Sequence, residues 1–330
     1  MHVLAAPDKF RGTAAAAEVA AAIAAAVTGA GATCDVAPVA DGGEGTLEVL
    51  GGPNRTRLVT GPLGDPVEAR WRYAGSTAVV EMALASGLEL VGGPAGNDAM
   101  AASTYGTGEL IGAALDAGCR RVIVGVGGSA TVDGGLGALR ALEPISRLRG
   151  IELVVACDVR TRFVDAARTF APQKGASAAQ VELLHRRLER LVQVYEQSYG
   201  IDVSQLQGAG AAGGLAGGLA VAGAELVPGF EVVADEVDLF DRIEGADLVV
   251  TGEGFLDEQS FEGKVVGGVC DLARSAGVTV LAVVGEVLEG IAVPDGLEVV
   301  SLVAEVGEER AFSDTAAAIR EVVAARLAAG

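Results

Sequence analysis

Short apolar runs that end in glycine and a carboxylate recur along this chain, and each leads into a segment of helical character. Residues 3–6 are followed by Asp8 and an alanine-rich helix, and residues 34–39 by Asp41, Gly42 and Gly43. Alternation of buried strands and helices is typical of a parallel β-sheet covered by helices. The sequence therefore predicts an α/β fold, a class that binds ligands at the carboxyl ends of its strands.

The pattern changes between residues 55 and 82. Short alternating segments are separated there by Gly-Pro and Gly-Asp-Pro turns, as in an antiparallel meander. A chain of 330 residues is long enough for about two domains. We therefore expect a second domain with a mixed sheet to begin in this region.

Charge and composition exclude several classes of protein. The formal net charge is −20, and no basic patch emerges that would bind nucleic acid or an anionic membrane. The four cysteines are scattered, and no apolar run is long enough for a signal segment or a membrane span, so we expect a cytoplasmic protein. With only His2 and His185, histidine metal sites and Ser-His-Asp catalysis are disfavoured, and His185 is expected to be solvated.

A glycine-rich loop follows the apolar run at residues 122–124. It contains Gly125, Gly127, Gly128 and the hydroxyl residues Ser129 and Thr131. Glycine lets an anionic ligand approach the backbone closely, so this loop is a candidate phosphate site. The loop also fits the dinucleotide fingerprint G-x-G-x-x-[GA], which keeps an NAD-linked oxidoreductase open as an alternative.

Lysines and carboxylates add to the phosphate hypothesis. Only Lys9, Lys174 and Lys264 are lysines among the 24 basic residues, and all three lie in candidate loops. Lysine binds phosphate as a point charge, and carboxylates together with phosphate commonly hold Mg²⁺. Phosphoryl transfer depends mainly on such positioning and electrostatics. The Walker A motif and the protein-kinase signatures are absent, so a nucleotide site here would have another design.

Eight segments of the chain occur in this order: APDKFRG, VADGGEGT, STYGTGELI, GVGGSATVDGG, ACDV, FAPQKGA, GAGAAGGL and TGEGFLDEQSFEGK. Together they resemble, in the same order, the signature segments of the type-1 glycerate kinase family. The resemblance implies ATP-dependent phosphorylation of D-glycerate, typically at the 2-hydroxyl. It also implies two α/β domains with the active site in the cleft between them. A discontinuous parallel-sheet domain would comprise residues 1–64 and 275–330, and a mixed α/β domain, residues 65–274, would be inserted.

We assign expected roles to residues within these segments. The expected ligands are D-glycerate, ATP and Mg²⁺, no nucleic-acid or membrane partner is expected, and the protein would be a monomer or homodimer. The catalytic candidates are Asp41, Glu44, Asp8 and Lys264; the substrate-binding candidates are Lys9, Arg11, Gly42 and Gly43; the nucleotide-binding candidates are Gly127, Gly128, Ser129, Thr131, Lys174 and Thr107; and the metal candidates are Asp133, Asp158 and Glu253.

The chain departs from the usual family pattern at three notable positions. Val132 stands where asparagine is usual, Phe255 where arginine is usual, and Glu262 where histidine is usual. Each change lies near an expected polar site. A kinase fold that has lost catalysis and serves as a metabolite-binding or regulatory protein is therefore a second alternative.

Overall fold

The computed structural model describes residues 1–261, 263–288, 290–294 and 297–329. The chain forms two compact units, one made of Met1–Asp41 with Phe230–Gly330 and the other of Gly42–Gly229. The predicted two-domain α/β fold is confirmed. No helix in the described ranges has both the length and the apolar character needed to cross a bilayer.

The strands are short and are separated by helices along most of the chain. In chain order the described strands are β1 (His2–Ala5), β2 (Thr33–Val36), β3 (Arg55–Thr60), β4 (Pro66–Ala74), β5 (Thr77–Glu81), β6 (Arg121–Gly125), β7 (Glu152–Ala156), β8 (Glu225–Val227), β9 (Leu248–Thr251), β10 (Phe255–Leu256), β11 (Thr279–Val284), β12 (Glu286–Val287) and β13 (Glu298–Ser301).

The helices cover the sheets and supply the crossover connections. They are α1 (Ala16–Gly29), α2 (Thr46–Val49), α3 (Ala83–Ser86), α4 (Tyr105–Asp116), α5 (Leu136–Ala141), α6 (Ala166–Phe170), α7 (Ala178–Tyr199), α8 (Ala211–Val221), α9 (Gly229–Glu236), α10 (Leu239–Glu244), α11 (Val265–Ala276), α12 (Leu302–Val306), α13 (Glu308–Ser313) and α14 (Thr315–Ala329). Short 3₁₀ turns occur at Glu89–Val91, Ile145–Leu148, Pro172–Lys174, Val203–Gln205 and Glu258–Phe261.

The first unit contains a parallel five-stranded sheet in the order β13-β11-β9-β1-β2. From β1 the chain crosses to β2 on one side, whereas from β9 it crosses to β11 and β13 on the other side. The direction of winding therefore reverses between β1 and β9. In open α/β sheets such a switch point leaves a crevice at the carboxyl ends of the two strands, which is where ligands bind.

The second unit contains a six-stranded sheet whose strands follow chain order from β3 to β8. Pairing is antiparallel from β3 to β5 and parallel from β5 to β8, as the mixed-sheet prediction requires. The glycine-rich helix α8 is buried throughout, and a Cβ on Gly217 would clash with the Phe163 ring. Its glycines thus allow close packing, as expected from the sequence.

The bounds of the two units differ from the predicted 1–64, 65–274 and 275–330. Residues 42–64 lie in the second unit because β3 pairs with β4, and residues 230–274 lie in the first because β9 pairs with β1. Strands β1 and β9 are distant in sequence, so no local pattern predicts their pairing. Strands β3 and β4 are neighbours in sequence, but no change of composition marks the boundary of the unit that they share. The change of pattern near residue 64 therefore marks the antiparallel part of one unit and not its beginning.

One local prediction also needs correction. His185 is not solvated: it is buried on α7, and its Nδ1 lies 2.8 Å from the carbonyl oxygen of Val164. The predicted alanine-rich helix is α1, which begins at Ala16, where the Glu18 carboxylate accepts a hydrogen bond from the Ala15 N–H at 2.9 Å.

Candidate active site

The switch point of the first unit carries two carboxylates, the buried Asp8 and the half-buried Glu253. Asp8 follows β1 and Glu253 follows β9. The Asp8 N–H donates to the Gly252 carbonyl at 2.8 Å, and the Thr251 hydroxyl donates to the Ala6 carbonyl at 2.8 Å. These bonds join the two strand ends, so Asp8 and Glu253 are fixed at the edge of the sheet where the fold favours ligand binding.

Burial changes the proton affinity of both carboxylates. It raises the pKa of Asp8 to about 6, although Lys9 opposes the rise. It raises the pKa of Glu253 to about 7, opposed by a hydrogen bond with Ser260. The Oε1 atom of Glu253 is buried and has no hydrogen-bond partner among the described residues. Such an unsatisfied oxygen is costly unless a ligand supplies a proton donor or a cation.

Three further predicted residues lie in the same unit close to these carboxylates. Lys9 Nζ lies 4.0 Å from Asp41 Oδ1, and each side chain is about a quarter exposed. Lys264 precedes helix α11 and lowers the pKa of both Asp8 and Glu253 by its charge. The first unit therefore brings together Asp8, Lys9, Asp41, Glu253 and Lys264.

Arg11 is the remaining candidate of this unit. Its side chain is exposed, and its backbone nitrogen lies 3.2 Å from the place where a Cβ on Gly254 would stand. The loop after β1 thus packs on the loop after β9, with the guanidinium on the surface.

In the second unit, the Gly42–Gly43 segment lies across the carboxyl ends of β6 and β7. A Cβ on Gly127 would lie 2.8 Å from the Gly43 Cα, and a Cβ on Gly42 would lie 2.9 Å from the Ala156 Cβ. The structure therefore brings Gly42 and Gly43 against the glycine loop. A side chain at Gly127 would meet the backbone of Gly43, and a side chain at Gly42 would meet the backbone of Gly229, which explains glycine at these two positions.

Glu81, which the sequence analysis missed, anchors this segment. It is buried at the end of β5, and its Oε1 accepts a hydrogen bond from the Leu47 N–H of α2 at 2.6 Å. Glu44, between Gly43 and α2, is exposed. A carboxylate directly after an apolar strand was the available signal for Glu81.

The glycine loop presents three consecutive backbone donors. No protein acceptor is found, within the described ranges, for the N–H groups of Gly127, Gly128 and Ser129. The loop is held from one side, because Leu88 N–H donates to the Gly128 carbonyl at 2.9 Å. Gly128 has φ +68°, a left-handed conformation that glycine adopts without strain. Successive unpaired N–H groups of this kind form an anion-binding concavity.

The buried Lys174 holds this loop by hydrogen bonds. The Lys174 ammonium donates to Ser129 Oγ at 2.6 Å and to the Thr131 carbonyl at 2.7 Å, and the lysine side chain is 2% exposed. Asn97, also missed by the sequence analysis, donates to the carbonyls of Ala130 and Lys174. Its position in a loop distant in sequence gave no signal.

Two other predicted ligand-binding residues, Thr107 and Asp133, form hydrogen bonds within the protein. Thr107 is fully buried, and its hydroxyl donates to Ser86 Oγ at 2.8 Å. Asp133 accepts hydrogen bonds from the N–H groups of Thr104, Gly135 and Gly137 and from the Thr104 hydroxyl. These bonds hold helices α4 and α5, and the role of Asp133 as a metal ligand stays a prediction.

The other metal candidates are Asp158 and Glu253. Asp158 is exposed after β7, and its Oδ1 accepts from the Gly229 N–H at 3.2 Å. Asp158 belongs to the second unit and Glu253 to the first. Within the described part of the chain, no cluster of three or more His, Cys, Asp or Glu residues could hold a metal by itself.

Comparison with known proteins identifies the family. The family model for the glycerate kinase family matches residues 3–145 and 143–329. The chain belongs to the glycerate kinase family. It is therefore an enzyme of the kinase type, and the family resemblance found in the sequence is confirmed. The expected position of the active site between the domains stays a prediction.

Several members of the family are closely similar to this chain. It is 39% identical over 327 residues to the glycerate kinase of Bacillus subtilis (strain 168), covering 87% of this chain and 85% of the relative. It is 40% identical over 297 residues to the glycerate 2-kinase of Escherichia coli (strain K12), covering 78% and 77%. A solved structure from Salmonella typhimurium LT2, of a protein proposed to be glycerate kinase 2, has a TM-score of 0.85 and 35% identity, covering 100% of this chain and 99% of its own.

The structure places two of the departures from the family pattern. Val132 is 2% exposed and packs in the apolar cluster that contains Leu139 and Phe163, so its side chain does not line the loop surface. Phe255 stacks on Phe312, with ring centroids 5.8 Å apart. Glu262 lies outside the described residues.

Proposed function

We propose that this kinase transfers the γ-phosphoryl group of ATP to the 2-hydroxyl of D-glycerate in the cytoplasm, giving 2-phosphoglycerate. Family membership supports the acceptor. The observation that carries the use of a nucleoside triphosphate is the run of unpaired N–H groups at Gly127, Gly128 and Ser129, because such a run binds phosphate oxygens.

The first unit is proposed to bind glycerate, which accepts the phosphoryl group. Asp41 is proposed to receive the proton of the glycerate hydroxyl, and Lys9 at 4.0 Å from it is proposed to bind the substrate carboxylate together with Arg11. The nearby Asp8 contributes a second acceptor oxygen for the hydroxyl. Lysine and arginine suit this task because they offer charged donors without competing acceptors.

The carboxylates of the first unit also fit Mg²⁺. The unpartnered, buried Oε1 of Glu253 is an oxygen donor of the type that this ion prefers. Mg²⁺ usually takes one or two carboxylates and completes its shell with phosphate and water, so a larger protein cluster is not required. Bound there, the ion would neutralise charge on the phosphates. We propose Glu253 as its protein ligand, while Lys264 adds a fixed positive charge beside it.

An ADP-release assay with D-glycerate and Mg²⁺-ATP tests the reaction, and ³¹P NMR of the product distinguishes 2-phosphoglycerate from 3-phosphoglycerate. Absence of ADP release would overturn the proposed function. If ATP and glycerate still raised the melting temperature, the alternative of a ligand-binding protein without catalysis would be supported instead.

Asp41→Asn tests the proposed proton acceptor. We expect kcat to fall roughly 10²- to 10⁴-fold, the usual contribution of a positioned general base. The matched control is Asp271→Asn, at an exposed position on α11 of the same unit, which should leave kcat unchanged. Near-normal activity of the Asp41 variant would mean that another group receives the proton.

A further inference from the structure

Lys174 is buried without a carboxylate at salt-bridge distance among the described residues. Lys174 is the last residue of the 3₁₀ turn Pro172–Lys174, and it is 2% exposed. The ammonium is satisfied by the hydroxyl of Ser129, the carbonyl of Thr131 and the face of Phe170, whose ring centroid is 5.9 Å away. Burial of a positive charge is costly without a negative partner. An anion that binds beside it would reduce that cost.

The hydrogen bond from Lys174 determines what the Ser129 hydroxyl can do. An ammonium has only donors, so Ser129 Oγ must act as the acceptor in the 2.6 Å bond. The hydroxyl hydrogen is then directed elsewhere, and no protein acceptor for it is found in the described ranges. Ser129 is 8% exposed, which leaves this hydrogen accessible to a ligand at the loop surface.

A second clamp holds the same loop. Asn97 Nδ2 donates to the Ala130 carbonyl at 3.0 Å and to the Lys174 carbonyl at 2.9 Å. The Lys174 ammonium also bonds to Ser129 Oγ and to the Thr131 carbonyl, so hydrogen bonds hold three consecutive loop residues, 129–131. The backbone donors of residues 127–129 are therefore presented by a loop that is already fixed before a ligand binds.

We infer that Lys174 is a positioning residue for phosphate binding: it acts through Ser129, committing that hydroxyl as a donor to an anionic oxygen. Lys174 does not itself contact the phosphate. The inference deepens the proposed function, on which it rests, and assigns the loop to a phosphate of the nucleotide. The carboxylate of glycerate offers the same anionic oxygens, so the test includes both ligands.

Electrostatics supports the arrangement found by geometry. Burial lowers the pKa of Lys174 to about 7, while the charge of Asp133 opposes this shift. A bound phosphate would add negative charge beside Ser129 and favour the charged ammonium. The charge of Lys174 polarises the Ser129 hydroxyl, which is the donor at the loop surface. A donor polarised by a cation binds an anion more tightly.

A double-mutant cycle tests the inference. Isothermal titration of Mg²⁺-ATP without glycerate is measured for the wild type, Lys174→Met, Ser129→Ala and the double variant. We expect each single change to weaken ATP binding roughly tenfold to 100-fold, as for loss of a hydrogen bond to a charged group. The double variant should be no weaker than the worse single variant, because Lys174 acts through Ser129. Fully additive losses would overturn the inference.

The two substrates separate positioning from general structural damage. KM for ATP should rise in Lys174→Met, and KM for D-glycerate should stay within about twofold of the wild type, since only the phosphate loop is changed. A rise in KM for glycerate with unchanged ATP binding would overturn the assignment to the nucleotide. Lys174→Gln should partly restore ATP binding, because its amide can donate to Ser129.

Two further measurements keep the inference testable if Lys174→Met does not fold. Ser129→Ala alone must weaken ATP binding, and wild-type affinity in that variant would overturn the inference. Arg168→Met is the matched control, because Arg168 is an exposed cation of the same unit, paired with Glu182. The outcome is separate from that of the proposed function: a wild-type protein that binds ATP without phosphorylating glycerate would refute the function and leave the binding cycle interpretable.

Discussion

Replacement of Asp133 by asparagine should lower the stability of the second unit substantially. Asp133 accepts from Thr104 N–H at 2.9 Å, Gly135 N–H at 3.1 Å and Gly137 N–H at 3.1 Å, and thereby caps the starts of α4 and α5. Asparagine keeps only one of the two oxygens. Its NH₂ group would replace the other oxygen and would place two hydrogen-bond donors against backbone N–H groups, which are also donors. The Thr104 hydroxyl, which bonds both carboxylate oxygens, would also lose one partner.

The size of the effect follows from these contacts. Loss of two hydrogen bonds to a charged group, at about 1.5 to 3 kcal/mol each, gives a decrease of about 3 to 6 kcal/mol in the free energy of unfolding. For a unit of this size, each kcal/mol lowers the melting temperature by about 2 to 4 °C, so we expect a decrease of roughly 6 to 24 °C. Calorimetry in metal-free buffer, with denaturant titration beside it, measures both quantities.

The control for this change is Asp116→Asn. Asp116 lies on the same unit in an exposed ion pair with Arg147, and such pairs contribute only about 0 to 1 kcal/mol. A melting temperature for Asp133→Asn within about 2 °C of the wild type, in the absence of metal, would refute the structural role. Loss of Mg²⁺-dependent stabilisation without loss of intrinsic stability would instead support the predicted metal role of Asp133.

Two other predictions concern the phosphate loop. Gly127→Ala should abolish most kinase activity in a steady-state assay, because the new Cβ would lie 2.8 Å from Gly43 Cα and 3.0 Å from Glu44 N. The control is Gly112→Ala on α4, which should retain activity because the new Cβ would have only an arginine nitrogen nearby, at 3.9 Å. The lowered pKa of Lys174 means that the unfolded chain binds the extra proton between pH 7 and 10.5, so the stability of the wild type should rise with pH in this window. In urea titrations the slope should exceed that of Lys174→Met by up to about 1.4 kcal/mol per pH unit, and equal slopes would show that Lys174 titrates normally.

The fold class was predictable because its signals are local. The apolar runs at residues 3–6, 34–39 and 122–124 marked β1, β2 and β6, and the alternating segment marked β3 to β5. The unit bounds were not predictable in this way, because the pairing of β1 with β9 depends on residues far apart in sequence. No residue near position 230 or 42 marks a change of unit by its type.

The sequence predicted which residues lie near one another in the first unit, whereas the roles of the candidate residues stay predictions. Asp8, Lys9 and Asp41 come together as expected, since each follows a strand of one parallel sheet. Asp133 has the same sequence context, yet in the structure it caps two helices. A carboxylate after a strand has both uses, and only the surrounding donors distinguish them.

The position of β1 inside the first sheet, between β9 and β2, has a consequence for the order of folding during synthesis. Its neighbour β9 is made long afterwards: the Ala6 carbonyl waits for the hydroxyl of Thr251, 245 positions later. At typical rates of translation this delay is on the order of 12 to 50 s. Residues 42–229 emerge as one continuous segment and can complete their sheet within that time. The amino-terminal strand, with its buried apolar residues, meanwhile remains without one of its two partners and is the part of the nascent chain most in need of protection from aggregation.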